Sequence, residues 1–176
     1  MWGVAMRMLR TRTFLAAVGL AGTAVVPVVA APAAHAGCPT DTYYSVSGKT
    51  TRMPFRGVPT FKDGRGGTIT VSRNYSGSVT YRVEVGAESE VGAILAKAKI
   101  SIKASLEKTN STSTTHTYSH KIRADRFGHV RYVSWGKRVT WTKYRDNPNC
   151  TTTKVASGVI SFPSVEEGWY YWETKS

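Results

Sequence analysis

Three histidines in the second half of the chain are the residues best suited to hold a metal. His116 and His120 are four residues apart, and on a helix both imidazoles could reach one zinc ion about 2 Å away. On a strand the same spacing separates them by about 13 Å. Because the surrounding residues alternate as in a strand, we expect His116, His120 and His129 to be surface or cross-strand histidines and predict no metal site.

Carboxylates and nucleophiles form no clear catalytic pattern. Glu88 and Glu90 share a face of an alternating segment, but spacing alone does not make a glycosidase pair. Glu166 and Glu167, beside Trp169, could line a sugar site, although we expect a solvated turn. The sequence has no Gly-x-Ser-x-Gly nucleophile elbow. We therefore predict a protein without enzymatic activity and without a cofactor.

A glycine-rich stretch, Asp63–Gly67, raises the question of phosphate binding. A phosphate-cradling loop needs a helix after it, because the helix N-terminus supplies the amide donors. The residues that follow, Thr68–Val71, are typical of a strand. We interpret the stretch as a turn between strands.

Two cysteines, Cys38 and Cys150, are the only ones in the chain. In an exported protein such a pair most simply forms one disulfide. It would close a loop of about 110 residues and stabilise the fold by roughly 4–5 kcal/mol if it introduces no strain.

Aromatic and basic residues interleave near the end of the chain. We predict a surface-binding group in which aromatic side chains stand among basic ones, formed by Trp135, Trp141, Tyr144, Arg138 and Lys143. Such a group can bind single-stranded nucleic acid or hold a protein at a lipid headgroup interface. The alternative is core tryptophans with basic neighbours whose charged ends reach the solvent. We do not expect a nucleic-acid partner.

The first 36 residues predict a cleaved signal peptide. Three arginines precede an apolar run, Phe14–Val29, and Ala34–Ala36 has the small-residue pattern of a cleavage site. The mature chain would then begin at Gly37 and form a single secreted, extracellular β-rich domain over residues 37–176. A retained membrane anchor is the competing interpretation.

The mature chain would be strongly basic. The whole chain has 24 Lys and Arg against 11 Asp and Glu, and without the three leader arginines 21 remain against 11, a net charge of +10. A charge of this size favours an anionic membrane or cell-wall surface as partner. It is equally explained as a means of keeping a secreted protein soluble.

The elements expected to position these residues are mostly β-strands. Residues 37–63 contain three prolines and allow at most short strands such as Thr42–Ser47. Ser105–Ser119 contains nine Ser or Thr, which suits half-exposed strands, with a disordered linker as the alternative. Further strands are predicted at His129–Trp135, Arg138–Arg145 and Lys154–Phe162. The fold class is therefore an elongated antiparallel twisted sheet or sandwich with one disulfide.

The alternation between polar and apolar residues changes phase at Gly92. Before it, Val79, Tyr81, Val83, Val85, Ala87 and Val91 share one face. After it, the shared apolar face consists of Ile94, Ala96, Ala98, Ile100, Ile102, Ala104 and Leu106. We predict that these seven residues form a membrane-insertion segment. Ile94, Ala98, Ile102 and Leu106 are also four apart, so a short helix is possible, but the flanking strands favour a strand.

Val79–Tyr144 resembles the membrane module of the aerolysin-type (epsilon-toxin/mosquitocidal-toxin-like) β-pore-forming proteins. The resemblance is one of pattern: long strands rich in Ser and Thr surround a shorter amphipathic insert. The long strands would correspond to Gly67–Val85, Ser105–Arg123 and Val130–Arg145, with the insert inside Val85–Leu106.

The resemblance implies a secreted toxin-like protein that binds membranes and forms pores as a homo-oligomer. Ile94–Leu106 is long enough to cross a bilayer as a strand, Val79–Val91 could be its partner, and the lysines would line a basic lumen. The alternative function is an adaptor or structural subunit of an extracellular complex, which would bind a secreted partner protein by strand addition.

Overall fold

The structure is a computed structural model that describes residues 37–74, 76–86, 88–113 and 115–176. It is mostly β, as predicted, with antiparallel sheets, one short helix and the disulfide. The predicted signal peptide lies outside the described residues. The strands are β1 Thr42–Thr50, β2 Met53–Pro54, β3 Phe61–Arg65, β4 Thr68–Asn74, β5 Gly77–Thr80, β6 Arg82–Val85, β7 Thr109–Thr112, β8 Thr115–Lys121, β9 Phe127–Ser134, β10 Lys137–Asp146, β11 Thr152–Phe162 and β12 Glu167–Thr174.

The first sheet has the order β1-β10-β11-β6 and is antiparallel throughout. We call it sheet A. Its inner face is apolar because alternate residues of β10 and β11 are apolar, and Val139, Trp141, Ile160 and Phe162 are all at most 1% exposed. These residues form the main core of the domain.

The second sheet, sheet B, is built around β9. β12 pairs with one edge of β9, and β2 and β3 pair with the other. Strand alternation divides the aromatic run of β12, so that Trp169 and Tyr171 pack toward the cores while Tyr170 and Trp172 lie on the opposite face.

Two further antiparallel ladders are formed by strands that lie, along the chain, between strands of sheet A and strands of sheet B. β4 pairs with β8, and β5 pairs with β7. Both ladders carry Ser and Thr on facing positions, such as Thr70 opposite Ser119 with 3.1 Å between their hydroxyl oxygens. The prediction of strands in Ser105–Ser119 is confirmed, and the linker alternative is wrong.

A helix, α1 (Val91–Ile102), replaces the strand that we favoured for Ile94–Leu106. Val91, Ile94, Leu95 and Ala98 are buried, which is the spacing of one helical stripe. The stripe packs against sheet A, and the apolar contact outweighs the strand tendency of the β-branched residues. Lys103 ends the helix in the left-handed conformation, with φ 52°.

The N-terminal segment is more regular than expected. β1 has nine residues and forms an edge of sheet A, whereas the prolines predicted only short strands. Cys38 precedes β1 and is bonded to Cys150, with 5.2 Å between their Cα atoms, so the predicted disulfide is confirmed. The strands predicted at His129–Trp135, Arg138–Arg145 and Lys154–Phe162 correspond to β9, β10 and β11.

Candidate functional site

Residues 81–108, which we call the insert, leave and rejoin the fold at one point. Thr80 faces Thr109 at the end of the β5–β7 ladder. The Tyr81 amide donates to the Lys108 carbonyl at 2.8 Å, which adds one more pair. Beyond this pair the two arms of the insert separate, so the insert is an excursion between two paired strands.

The insert then folds back over sheet A. β6 pairs with β11 at the sheet edge. α1 lies against the inner face, where Ile94 and Ala98 have no exposed surface. The returning arm places Leu106 in the same core, and the Glu107 amide donates to the Pro163 carbonyl at 2.8 Å. Apolar burial therefore holds the middle of the insert on the sheet.

Two glutamates attach the insert to sheet A. Lys143 Nζ donates to Glu90 Oε1 at 2.8 Å, and the Tyr44 hydroxyl donates to the other oxygen. The hydrogen bond from Lys143, followed by that from Tyr44, lowers the pKa of Glu90. Arg138 Nε donates to Glu84 Oε2 at 2.7 Å, and the Ser161 hydroxyl donates to Oε1 at 2.7 Å. The hydrogen bond from Ser161 is the main cause of the lowered pKa of Glu84.

Glycines let the insert approach sheet A closely. A Cβ on Gly48 of β1 would lie 2.6 Å from Cδ1 of Ile102, so a larger residue would have to displace this side chain. The Trp141 indole packs beside Gly86 and Gly158, where added Cβ atoms would lie 2.8 Å from its ring. Gly86 also has φ +103°, a backbone conformation that favours glycine.

The predicted insertion residues do not share a face in this folded form. Ile94, Ala98 and Leu106 are buried, Ile102 and Ala104 are half-buried, and Ala96 and Ile100 are exposed. The prediction of one shared strand face is wrong here because a helix repeats every 3.6 residues rather than every two. Ile100 is 75% exposed, an unusual position for an isoleucine in a helix whose opposite side forms a core.

The predicted surface-binding residues are only partly at the surface. Trp141 is 1% exposed, so its assignment to a surface is wrong and it belongs to the core. Arg138 and Lys143 bind the insert glutamates. Tyr144 stacks on Tyr43, with ring centroids 5.4 Å apart.

A group of aromatics beside sheet B contains Trp135, one of the predicted surface-binding residues, together with Tyr170 and Trp172, which were not singled out from the sequence. We call it the aromatic face; it consists of Trp135, Tyr170, Trp172 and His129. Tyr170 stacks on Trp172 at 5.3 Å, and Arg52 lies 4.0 Å over the Tyr170 ring. The sequence could have predicted this face, because in a strand every second residue of Trp169–Trp172 lies on the same side.

The histidines lie on strands, as predicted. His116 and His120 are both in β8. The Tyr132 hydroxyl is within 2.8 Å of His116 Nε2 and donates to Glu167 at 3.1 Å. Burial, followed by the Glu167 charge, raises the pKa of Tyr132. In the part of the chain that the structure describes, no three His, Cys, Asp or Glu side chains are grouped to hold a metal.

No family model matches this sequence, and no curated protein matches it significantly. The helices in the described ranges include none with the length and apolar character needed to span a membrane.

Proposed function

We propose that this protein acts on membranes, and that the insert refolds into a β-hairpin that crosses the bilayer in an assembly of several copies. The observation that carries the proposal is the register of the ladders around the insert. Thr68 faces Lys121 in one ladder and Thr80 faces Thr109 in the other, and the two positions of every pair sum to 189. Both ladders therefore belong to one continuous hairpin register.

Continuing this register into the insert separates its residues by polarity. Val83 would face Leu106, Val85 would face Ala104, and Val91 would face Ala98. In an antiparallel pair, facing residues lie on the same side of the hairpin. That side would also carry Ile100 and Ile102 and is interrupted by Ser89. The odd sum explains the change of phase at Gly92, since odd positions on one arm face even positions on the other.

The opposite side of this hairpin would be polar. Arg82 would face Glu107, and Glu90 would face Lys99, so opposite charges would be adjacent. A lumen lined by these residues would have mixed charge, rather than the basic character expected from the lysines alone. The arms 83–91 and 98–106 have nine residues each, and about 9–11 residues cross a bilayer as a tilted strand. The Ile94–Leu95 tip would be apolar.

Ile100 provides a direct test, because it is exposed in the folded form and would face lipid in the hairpin. We expect Ile100→Lys to lower the rate of dye release from vesicles of phosphatidylcholine and phosphatidylglycerol at least tenfold. A lysine on the lipid face of a barrel costs about 2–4 kcal/mol near the midplane. The matched control is Ser101→Lys, which adds the same charge to the neighbouring exposed position on the polar side and should change release less than twofold.

Circular dichroism and thermal unfolding would establish that both variants fold. Equal release by the two variants would contradict the register. Absence of both release and oligomers, with the unaltered protein on these vesicles and on vesicles of native target lipids, would contradict the proposal itself.

A second candidate function is that of an adaptor in an extracellular complex. β1 is an edge strand of sheet A among the described strands, it has nine residues, and the disulfide fixes the chain just before it. A partner protein could add a strand along that edge. Recovery of a stoichiometric partner with the native secreted protein would favour this function, provided that Val46→Pro, which removes an amide donor directed away from β10, prevents recovery while leaving the fold intact.

A further inference from the structure

A cleft of about 470 Å³ opens where β2, β5, β6 and β9 meet. It lies outside the core that holds α1. Its walls include Met53, Phe55 and Tyr81, which give it a partly apolar lining. Cavities of about 300–1,000 Å³ are the usual size for small ligands.

Four arginines line this cleft: Arg52, Arg56, Arg82 and Arg131. Glu84 is the only acid in its lining, and both carboxylate oxygens of Glu84 are already bonded, one to Arg138 and one to Ser161. Within the described ranges, none of the four arginines makes an ion pair at 4.0 Å or less. The charge of Arg82 is partly offset by Glu84, and the lining of the cleft keeps a net positive charge.

Two of the arginines are held in place by the fold. The Arg52 guanidinium is stacked 4.0 Å over the Tyr170 ring. Arg131 is half-buried at the centre of sheet B, and its Nε is enclosed without a hydrogen-bond partner. Enclosing an unpaired cationic donor costs stability. An anion in the cleft would meet side chains that are already oriented.

We propose that this cleft is a binding site for a phosphate-type oxyanion. Guanidinium groups match the geometry of phosphate oxygens and bind them in pairs of parallel hydrogen bonds. Four of them around one cavity suit a tetrahedral dianion better than a single carboxylate, which has two oxygens. The apolar part of the lining, which includes half-buried Tyr81, would accommodate the organic part of a phosphate ester.

The phosphate could belong to a lipid headgroup or to a soluble ester. The aromatic face adjoins the cleft through Arg52 and Tyr170, and half-exposed Trp and Tyr are favoured at a headgroup interface. The inference does not rest on pore formation, because binding is measured on the folded protein. Loss of dye release and loss of phosphate binding are separate results.

The test is isothermal titration calorimetry of the folded protein with inorganic phosphate at constant ionic strength. We expect saturable binding of one phosphate per chain. The double variant Arg56→Gln/Arg82→Gln, at two exposed positions, should weaken it at least tenfold. The matched control, Arg145→Gln/Lys154→Gln, removes the same charge from exposed residues that do not line the cleft and should change it less than twofold.

Equal weakening in both double variants would overturn the inference, since net charge alone would then explain the binding. Absence of saturable binding would overturn it as well. Vesicles of phosphatidylcholine with phosphatidic acid, compared with phosphatidylserine at equal charge, distinguish the sources. Preference for phosphatidic acid that is lost in Arg56→Gln/Arg82→Gln supports a lipid phosphate, and binding of free phosphate alone supports a soluble ester.

Discussion

Glu90 is the residue at which the two forms of the insert differ most in chemistry. In the folded form it accepts hydrogen bonds from Lys143 and Tyr44 on sheet A. In the proposed hairpin it would face Lys99 instead. Its carboxylate thus exchanges one lysine for another, and its charge in the folded form favours the helix.

Acid should therefore loosen the insert. The pKa of Glu90 is lowered from its ordinary value of 4.5, chiefly by the hydrogen bond from Lys143. A lowered pKa means that the carboxylate stabilises the folded form above about pH 4.5 and that this contribution is lost as the pH falls through the folded-state pKa. Glu84, whose pKa is also lowered, acts in the same direction.

We expect Glu90→Gln to reproduce part of this effect at pH 7. Amide hydrogen exchange in α1, measured by mass spectrometry, should become about fivefold faster, which corresponds to about 1 kcal/mol, the usual net contribution of one hydrogen bond. Glu88→Gln is the control, because Glu88 is exposed and accepts a hydrogen bond only from Tyr81 among the bonds described. Unchanged exchange in Glu90→Gln would show that apolar packing alone holds the helix.

At the scale of elements, an engineered disulfide between α1 and β1 tests whether the helix must leave sheet A. A cysteine sulfur at position 102 would stand where a γ carbon of Ile102 stands, 3.6 Å from the Cβ position at Gly48, so a cysteine pair at these positions needs only a small shift to form a disulfide. We expect oxidised Gly48→Cys/Ile102→Cys to release no dye, because α1 could not leave the sheet, and reductant should restore release. The unaltered protein with and without reductant, and the single variant Ile102→Cys, are the controls. Full release by the oxidised double variant would show that the insert does not need to move.

The helix illustrates where sequence reasoning reaches its limit. Ile94, Ala98 and Ile102 fit a helical stripe, whereas Ile100 and Ile102 fit a strand, so the local pattern supports both. Sheet A selects the helix over the strand, because Val139, Trp141 and Ile160 provide an apolar surface for the stripe. No local pattern contains that information.

The strands and the disulfide were more accessible to prediction. In β9, Val130 and Tyr132 alternate with His129 and Arg131 because one face of this strand is more deeply buried than the other. The arginine cleft was not predictable, because Arg52 and Arg131 are far apart in sequence and meet only through the pairing of β2 with β9.

For the whole molecule, the disulfide joins the start of sheet A to the loop between β10 and β11. It spans 112 residues and so restricts most of the unfolded chain. We expect Cys38→Ser/Cys150→Ser to lower the free energy of unfolding by roughly 4–5 kcal/mol in a urea titration. Reduced unaltered protein should unfold at the same urea concentration as the double variant. A loss below about 1 kcal/mol would mean that the β1–β10 pairing closes this loop without the bond.

The shared register of the two ladders means that one sequence, residues 81–108, would have to be compatible with two structures, the folded insert and the membrane hairpin. Ala98 and Leu106 serve both, as buried residues now and as lipid-facing residues later. Ile100 serves only the second, since its side chain contributes almost nothing to the folded core. A mutational scan scored for folding should therefore leave Ile100 free to vary, while the same library scored for membrane damage should retain only apolar residues there. Positions that tolerate substitution for folding but not for membrane damage would identify the lipid-facing residues of the hairpin.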